Sequence, residues 1–583
     1  MTFEIGLSCS GGTSGGAYTA GVLDFFFQAL DCWERAKADG APHIPRHQVG
    51  IKVISGASAG AISAAVSTIA LAHPVTPKPF PTPDSSKQTY QYWLRLLYET
   101  WVVWPRLVAP AGGDPDVLAM ADPPVGHDLR DIDFLTTTDL SAAHSAKALP
   151  QSLLNSQLLN YIAARAVQPV QALADQRAYM AETFDLYLTT ANHRGVPYRL
   201  ILEGGAYAMV NHADRAHYRF LGLGRWKTHS TFGEADQSEL LDRNDLVGPS
   251  APSIPVGTLA VAANDPWRRW YGFATSILAS AAFPIGLAPR TIDAERAAYA
   301  ERLFPNMQGV KAVIAPSFPD PTEAADYLAS DGGILDNDPI EYAIAALRAG
   351  NRSSTLTKAD RAVIMIAPFP DPPAYPATGQ LKSDIFAIAS VFLTTLRHQV
   401  RFKLDSLLQA ADPNDGSRFL IAPHRTPPGS TDDEPFPIAG GALGGFGGFV
   451  HRSYRDHDFQ LGRRNCQKFL RDVFVLPATN PIFGMAEGAS DALTPIIPLV
   501  GDAAAEVPYP DWPSITEQDL DVLVKRIGHR AKALRSNLSA NLGKSLFGRA
   551  AISIGLCLAQ RAYLPQIKRK IAADLKKRSL LAE

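Results

Sequence analysis

Cysteine is scarce in this chain, and the few present show no pairing by spacing. Its 583 residues include Cys9, Cys32, Cys466 and Cys557, widely separated and without a C-x-x-C. That pattern argues against a disulfide framework or a structural zinc site, and it fits a reducing compartment. An excess of one charge is also missing. A formal net charge of −2 gives no global argument for a nucleic-acid partner. The longest charge-free apolar stretch near the carboxyl terminus, residues 550–560, is too short to span a bilayer. The start, Met1-Thr2-Phe3-Glu4-Ile5, has no basic n-region and runs straight into a strand, so no signal peptide is expected. No repeats stand out. A hydrophobic share of 46% with 19% charged residues is that of a globular protein, and the length allows more than one structural unit. A cytoplasmic protein is the expectation.

Glycine, by contrast, is placed with purpose. Residues 56–60 read Gly-Ala-Ser-Ala-Gly, between the apolar run 49–54 and the small-residue run 61–65. A strand that delivers Ser58 to a sharp turn, with a helix starting behind it, is the arrangement of a nucleophile elbow. Residues 12–16, Gly-Thr-Ser-Gly-Gly, fit G-x-S-x-G as well. Ser58 is the expected nucleophile, because alanines on both sides fix its backbone, whereas Ser14 lies among flexible neighbours. The first loop carries no lysine after Gly16, which removes a nucleotide P-loop, and it lacks the spacing of a dinucleotide fingerprint. What remains is a set of unencumbered N–H groups at a helix start, suited to an oxyanion.

Strand–turn–helix twice in succession, over 3–30 and 47–65, predicts a parallel α/β sheet covered by helices. Residues 185–192 and 199–203 read as strands joined by a turn at Arg194-Gly195, and 361–368 as a further buried strand. Tyr90, Trp93, Leu94, Leu97, Tyr98, Trp101 and Trp104 recur at helical spacing, fitting a buried amphipathic helix or an acyl-chain or membrane-facing cap over the site. Residues 440–448 read as a flexible glycine-rich segment, and Ser514 with Glu517 as a capping box opening a terminal helical region. That region ends in basic runs at 568–570 and 576–578, a solvated helix face or a contact for an anionic membrane surface.

A serine hydroxyl needs a base. Among Asp331, Asp336 and Asp338, the last precedes Pro339 and Glu341 and reads as a helix cap; Asp336 reads as a turn residue. Asp331 before two glycines is either an Asx-turn or a carboxylate exposed in a cleft. His217, His398, His451 and His457 remain available for a triad. His451, His457 and Asp458 lack helical ligand spacing for a metal. Arg455 with Asp458, and Arg463-Arg464, fit interlocking ion pairs or, alternatively, a lipid-headgroup site.

Taken in order, the glycine loop ending Gly-Gly-Ala-Tyr-Thr-Ala-Gly-Val-Leu, the Gly-Ala-Ser-Ala-Gly turn, the segment 278–284 and Asp331-Gly-Gly with a downstream Asn-x-Pro resemble the patatin-like phospholipases. The resemblance spans residues 3 to about 370. It implies a three-layer hydrolase core with a parallel sheet, a Ser–Asp dyad at Ser58 and Asp331 without histidine, an oxyanion loop at Gly11, Gly12 and Thr13, and no cofactor or metal. Thr13 and Gly15 stand where the family has its third glycine and its arginine. A direct dyad also requires burial to raise the carboxyl's proton affinity.

The expected layout is an acyl hydrolase domain over 1–370 with a helical insertion at about 76–183, an extension over 371–475, and a mainly helical region over 476–583. The expected activity is serine-dependent hydrolysis of lipid acyl esters, of phospholipase A or lysophospholipase type. The alternatives are an esterase or thioesterase on soluble acyl substrates, or a catalytically weak lipid-binding or scaffold protein.

Overall fold

In a computed structural model of the chain, the described residues are 2–71, 78–79, 91–109, 132–166, 177–202, 205–221, 227–231, 240–241, 268–294, 296, 299, 313–320, 324–347, 354–369, 388, 395, 399–401, 404–427, 429–484, 492–542 and 564–582. Alternate side chains of a strand point opposite ways, so a strand apolar at nearly every position must be covered on both faces. The first strands obey this. Strand β1 (Thr2–Cys9) leads to helix α1 (Gly16–Ala38), and β2 (Gln48–Gly56) to α2 (Ala59–Ala70). Ile54 of β2 joins the core that contains Phe26 and Leu30 of α1, while its neighbour Val53 joins a second core.

Helices α3 (Thr138–Ser145) and α4 (Gln157–Ala166) precede a long antiparallel hairpin of β3 (Met180–Leu202) and β4 (Gly205–Leu221). Strands β5 (Lys227–Thr231) and β6 (Leu240–Leu241) extend it. After α5 (Arg268–Ser280) come β7 (Arg290–Ile292), β8 (Val313–Pro316) and β9 (Tyr327–Asp331), then α6 (Ile340–Leu347), β10 (Arg361–Ile366) and β11 (Arg418–Ile421). Helices α7 (Arg452–Asp472) and α8 (Glu517–Leu542) follow. The sheet order is β11-β10-β1-β2-β3-β4-β5-β6. The five strands from β11 to β3 are parallel. The hairpin side is antiparallel, and β8 and β9 also pair antiparallel with β3. Residues Ile340, Ile344 and Leu347 of α6 pack with Val53, opposite to α1 and α2. This is an α/β fold with a mixed sheet. No helix among the described residues is long and apolar enough to cross a membrane.

Three sequence expectations change. Arg194-Gly195 is no turn but a bulge inside β3, where the register against β4 shifts between Ala191 and Val196. Gly195 takes φ +75° there, and the Asn192 side chain accepts its N–H at 2.8 Å. The extension after residue 370 adds β11 to the sheet beside β10. The aromatic stretch, with Tyr90 outside the described residues, is a helical turn at Arg95–Tyr98 that widens into a π-turn at Glu99–Val103. The cap of α8 is Thr516 with Asp519: the Thr516 Oγ1 accepts the Asp519 N–H at 3.2 Å, and Asp519 accepts the Thr516 N–H at 2.9 Å.

Helices α1 and α7 lie backbone against backbone. A Cβ on Gly21 would stand 1.9 Å from the Phe459 carbonyl oxygen, and one on Gly462 would stand 2.3 Å from that of Tyr18. The same contact buries Arg463 against Asp24, with Gln28 accepting a second guanidinium N–H at 2.6 Å. Burial pushes the Asp24 carboxyl upward, while Arg463 and the amides of Leu94 and Trp93 pull it back.

Gly21→Ala should therefore destabilise the fold by about 3 kcal/mol in chemical denaturation. Gly528→Ala is the control. Its Cβ would meet Leu564 methyls at an ordinary 3.4 Å, so it should gain about 0.5–1 kcal/mol. Arg463→Ala leaves Asp24 buried without its cation and should cost about 3–5 kcal/mol in the same measurement.

Candidate active site

The turn after β2 is pressed onto the end of β1. A Cβ on Gly60 would lie 2.0 Å from the Cys9 carbonyl oxygen, and the Ala57 N–H donates to that same oxygen at 3.2 Å. Ser58 sits in this turn at φ +52°, ψ −122°, a conformation that a non-glycine residue holds only when its surroundings enforce it. Two contacts do so. Its carbonyl accepts the Ala61 N–H at 3.0 Å, and its own N–H donates to the Ser280 Oγ at 3.1 Å. The hydroxyl is left facing Asp331.

Asp331 ends β9, whose antiparallel register opposes it to Thr190 of β3. Its N–H donates to the Ala282 carbonyl at 2.9 Å. The carboxylate divides its work between two oxygens. Oδ1 accepts the Gly333 N–H at 2.8 Å and so caps the short turn Gly332–Ile334; Oδ2 accepts the Ser58 hydroxyl at 2.7 Å. Asx-turn and partner of the Ser58 hydroxyl are thus one residue. The glycines are needed for clearance, since a Cβ on Gly332 would lie 2.3 Å from the Thr189 backbone. Asp338 is turned toward Asn337, whose amide donates to its carboxylate at 3.1 Å.

The glycine loop before α1 lies on the other side of Ser58. Gly11 differs from expectation: its N–H already donates to the Asn337 carbonyl at 3.0 Å, so it is not an oxyanion donor. Its part is steric, because a Cβ there would lie 2.5 Å from the Asn337 Oδ1 and 3.1 Å from the Ser58 Cβ. Among the described residues nothing accepts the amides of Gly12 or Thr13. Thr13 has φ +50° and borders the same cleft as Ser58.

Ser14 is fully buried and does not face that cleft. Its Oγ lies 2.6 Å from the Gly445 carbonyl and 3.1 Å from that of Gly440, and it accepts the Gly448 N–H at 3.0 Å. Asp458 adds to this hold by accepting the N–H groups of Ala439 and Gly440 at 2.8 and 2.7 Å. Residues 440–448, expected to be a flexible segment, lie within a set of short helical turns over 439–449, several of whose N–H groups are held by side chains.

The cleft holds about 620 Å³ of empty space, part of it open to solvent. Its walls are apolar. Phe446 and Phe449 come from the glycine segment, Phe283 and Leu287 from beyond α5, and Trp101 and Phe134 from the insertion. The aromatic insertion is thus both buried and part of the cleft. Trp101 reaches it because Gly16 has no side chain; a Cβ there would lie 2.1 Å from the indole.

The other candidates lie elsewhere. His217 pairs with Asp185 at 2.8 Å, and burial pushes its proton affinity down. His451 caps α7 and His457 pairs with Asp458; His398 lies outside the described residues. No described histidine bonds to Ser58. No cluster of metal-ligating residues occurs among the described ones. Arg455 donates to the carbonyls of Val102 and Gly448 rather than to Asp458, and buried Arg463 faces no surface where a headgroup could meet it. Ser280 escaped sequence reasoning. It lies in a segment singled out for its small residues, but its partner is remote in the chain and no local pattern announces it.

These features define an α/β protein with a buried serine–aspartate pair opening onto an apolar cleft. No family model matches the chain. It is 41% identical over 571 residues to the uncharacterized protein y4iI of Sinorhizobium fredii (strain NBRC 101917 / NGR234), a match covering 92% of this chain and 76% of that one. The chain belongs to the same family as that protein.

Ser14→Ala strands the Gly448 N–H. It should lower stability by about 1–3 kcal/mol and raise protease cleavage within residues 439–449.

Proposed function

We propose that this protein is a serine acyl hydrolase acting on lipid esters, of the patatin-like kind that its motifs resemble. The observation that carries the reading is the 2.7 Å hydrogen bond from the Ser58 hydroxyl to Asp331 at the edge of an apolar cleft. Ser58 Oγ attacks the acyl carbonyl carbon, and its proton passes to Asp331 Oδ2. The carbonyl oxygen, now negative, takes the free N–H groups of Gly12 and Thr13. Collapse breaks the ester bond, and the leaving alkoxide recovers the proton from Asp331. Water then attacks the acyl-serine, gives its proton to Asp331, and releases the fatty acid as Ser58 is reprotonated. The apolar walls hold the acyl chain and exclude water from the ionised intermediate. No cofactor enters these steps.

A short-lived oxyanion needs donors fixed in advance, and the strained turn at Ser58 together with the pinned glycine loop supports that requirement. The buried, unpaired thiols of Cys9, Cys32 and Cys466 accord with a cytoplasmic protein that meets its lipid at a membrane face.

Purified protein should hydrolyse long-chain nitrophenyl esters with higher kcat/KM than the acetate. Ser58→Ala should abolish both turnover and fluorophosphonate labelling, whereas Ser14→Ala should keep the labelling. Asp331→Asn should lower kcat by about 10²–10⁴-fold. Near-normal turnover in Asp331→Asn would remove the dyad.

A further inference from the structure

Two aliphatic side chains stand exposed beside the cleft. Ile285 is 65% exposed and Leu153 53% exposed. Backbone bonds hold them together: Leu153 N–H donates to the Ile285 carbonyl at 2.8 Å, and Leu154 N–H to the Gly286 carbonyl at 2.9 Å. Ile285 also has φ +68°, which a β-branched residue adopts only under strain and glycine adopts freely. The fold keeps both the strain and the exposure at one apolar residue. Their near neighbours in sequence, Phe283, Leu287 and Leu154, line the cleft itself. The exposed pair is therefore its rim. Leu149, just before Leu153 in the chain, is exposed as well, at 48%.

The element behind the rim is basic. Arg530 of α8 donates to the Leu153 and Thr136 carbonyls, and Asn541 donates to the Ala148 carbonyl at 3.0 Å. Between Val522 and Leu542 this helix has Lys525, Arg526, Arg530, Lys532 and Arg535, and no aspartate or glutamate. Arg526 and Arg530 face Asp133 and Asp139, while Lys525 and Lys532 are exposed, as is Lys147 beside the rim.

From this juxtaposition we propose that the rim formed by Leu153 and Ile285, backed by the lysines of α8, is a docking surface for an anionic lipid bilayer. The proposal rests on the reading of the cleft as an acyl-chain site. Aliphatic side chains enter the boundary between headgroups and acyl chains, and lysines meet the lipid phosphates. A mouth sealed on the bilayer lets an acyl chain reach Ser58 without crossing water, the step that apolar surface opposes most. The positive charge of α8 after Asp521, where no further acid falls, favours lipid over a mixed-charge protein surface.

The test is sedimentation of the full-length protein with vesicles of phosphatidylglycerol and phosphatidylcholine, against phosphatidylcholine alone, at low and high salt. Wild type should bind the anionic vesicles, less so at high salt. The double variant Leu153→Ser, Ile285→Gly and the single variant Lys532→Glu should each lose at least about tenfold in partitioning. Turnover of a soluble short-chain ester should stay within about twofold of wild type in all of them, since none of these residues lines the cleft or contacts the dyad. Equal vesicle binding by wild type and the double variant overturns the proposal, as does no binding by wild type. A concentration-dependent dimer that the double variant abolishes, without vesicle binding, would overturn it in favour of a protein interface. Vesicle binding that behaves as expected, with no soluble-ester turnover in wild type, would leave the docking surface standing and remove the acyl hydrolase reading.

Discussion

Backbone contact between α1 and α7 is the constraint on which the site depends. Gly21 and Gly462 leave no side chain between the helices, so their axes approach further than bulkier residues permit. Helix α1 begins at the glycine loop beside Ser58. Helix α7 brings Asp458 and Arg455, which hold residues 439–449 by their amides and by the Gly448 carbonyl. Those residues supply Phe446 and Phe449 to the cleft. Segments 431 positions apart, at Ser14 and Gly445, are thereby fixed to one hydroxyl. A looser helix pair would release the wall and the loop together.

The buried charges around this contact act through geometry more than through net attraction. A buried ion pair contributes little stability beyond its own desolvation, and what it gains is loss of alternatives. Asp24 illustrates this. Besides Arg463 it accepts the N–H groups of Trp93 and Leu94, at 2.9 and 2.6 Å, and so sets where the aromatic insertion leaves the helix surface. Trp101 then lies on Gly16 and reaches the cleft. Arg455 ties Val102 to Gly448 across the same boundary, at 2.9 and 2.7 Å. Of the arginines that looked like surface chemistry in the sequence, Arg455 is an internal strut between the insertion and the glycine segment, and Arg463 is one between α7 and α1.

Local signals were legible and remote ones were not. The two strand–turn–helix units, the turn at Ser58 and the paired glycines after Asp331 could be recognised because a few adjacent residues dictate each conformation. The choice between Asx-turn and cleft carboxylate dissolved, since one oxygen of Asp331 caps the turn and the other accepts the Ser58 hydroxyl. Gly11 looked identical to Gly12 as a donor, and only a carbonyl far along the chain, that of Asn337, separates them. The segment 440–448 looked flexible because glycine permits it; Ser14 and Asp458, remote or later in the chain, take its N–H groups. The antiparallel half of the sheet was hidden by a bulge that mimics a turn, in which Asn192 supplies the acceptor a turn would have used.

The loop's two departures from the family it resembles bear on how an oxyanion could be held there. Thr13 occupies a left-handed conformation, φ +50°, which glycine reaches without strain and threonine does not. Its position is kept by the neighbouring residue: Ser14 is anchored at Gly445 and Gly448, and Gly15 N–H closes onto the Gly12 carbonyl at 2.9 Å. At Gly15 there is no room for a longer side chain, because a Cβ would already lie 3.1 Å from Pro368 and 3.4 Å from Phe369. Arg401 packs over that phenyl ring at 5.7 Å and donates to the Phe369 carbonyl at 3.1 Å, so a guanidinium is present near Phe369, supplied by a distant part of the chain. Neither change removes the Gly12 and Thr13 amides. What they alter is the support beneath them, which passes from the loop's own glycines to Ser14 and to the packing of the later chain against it.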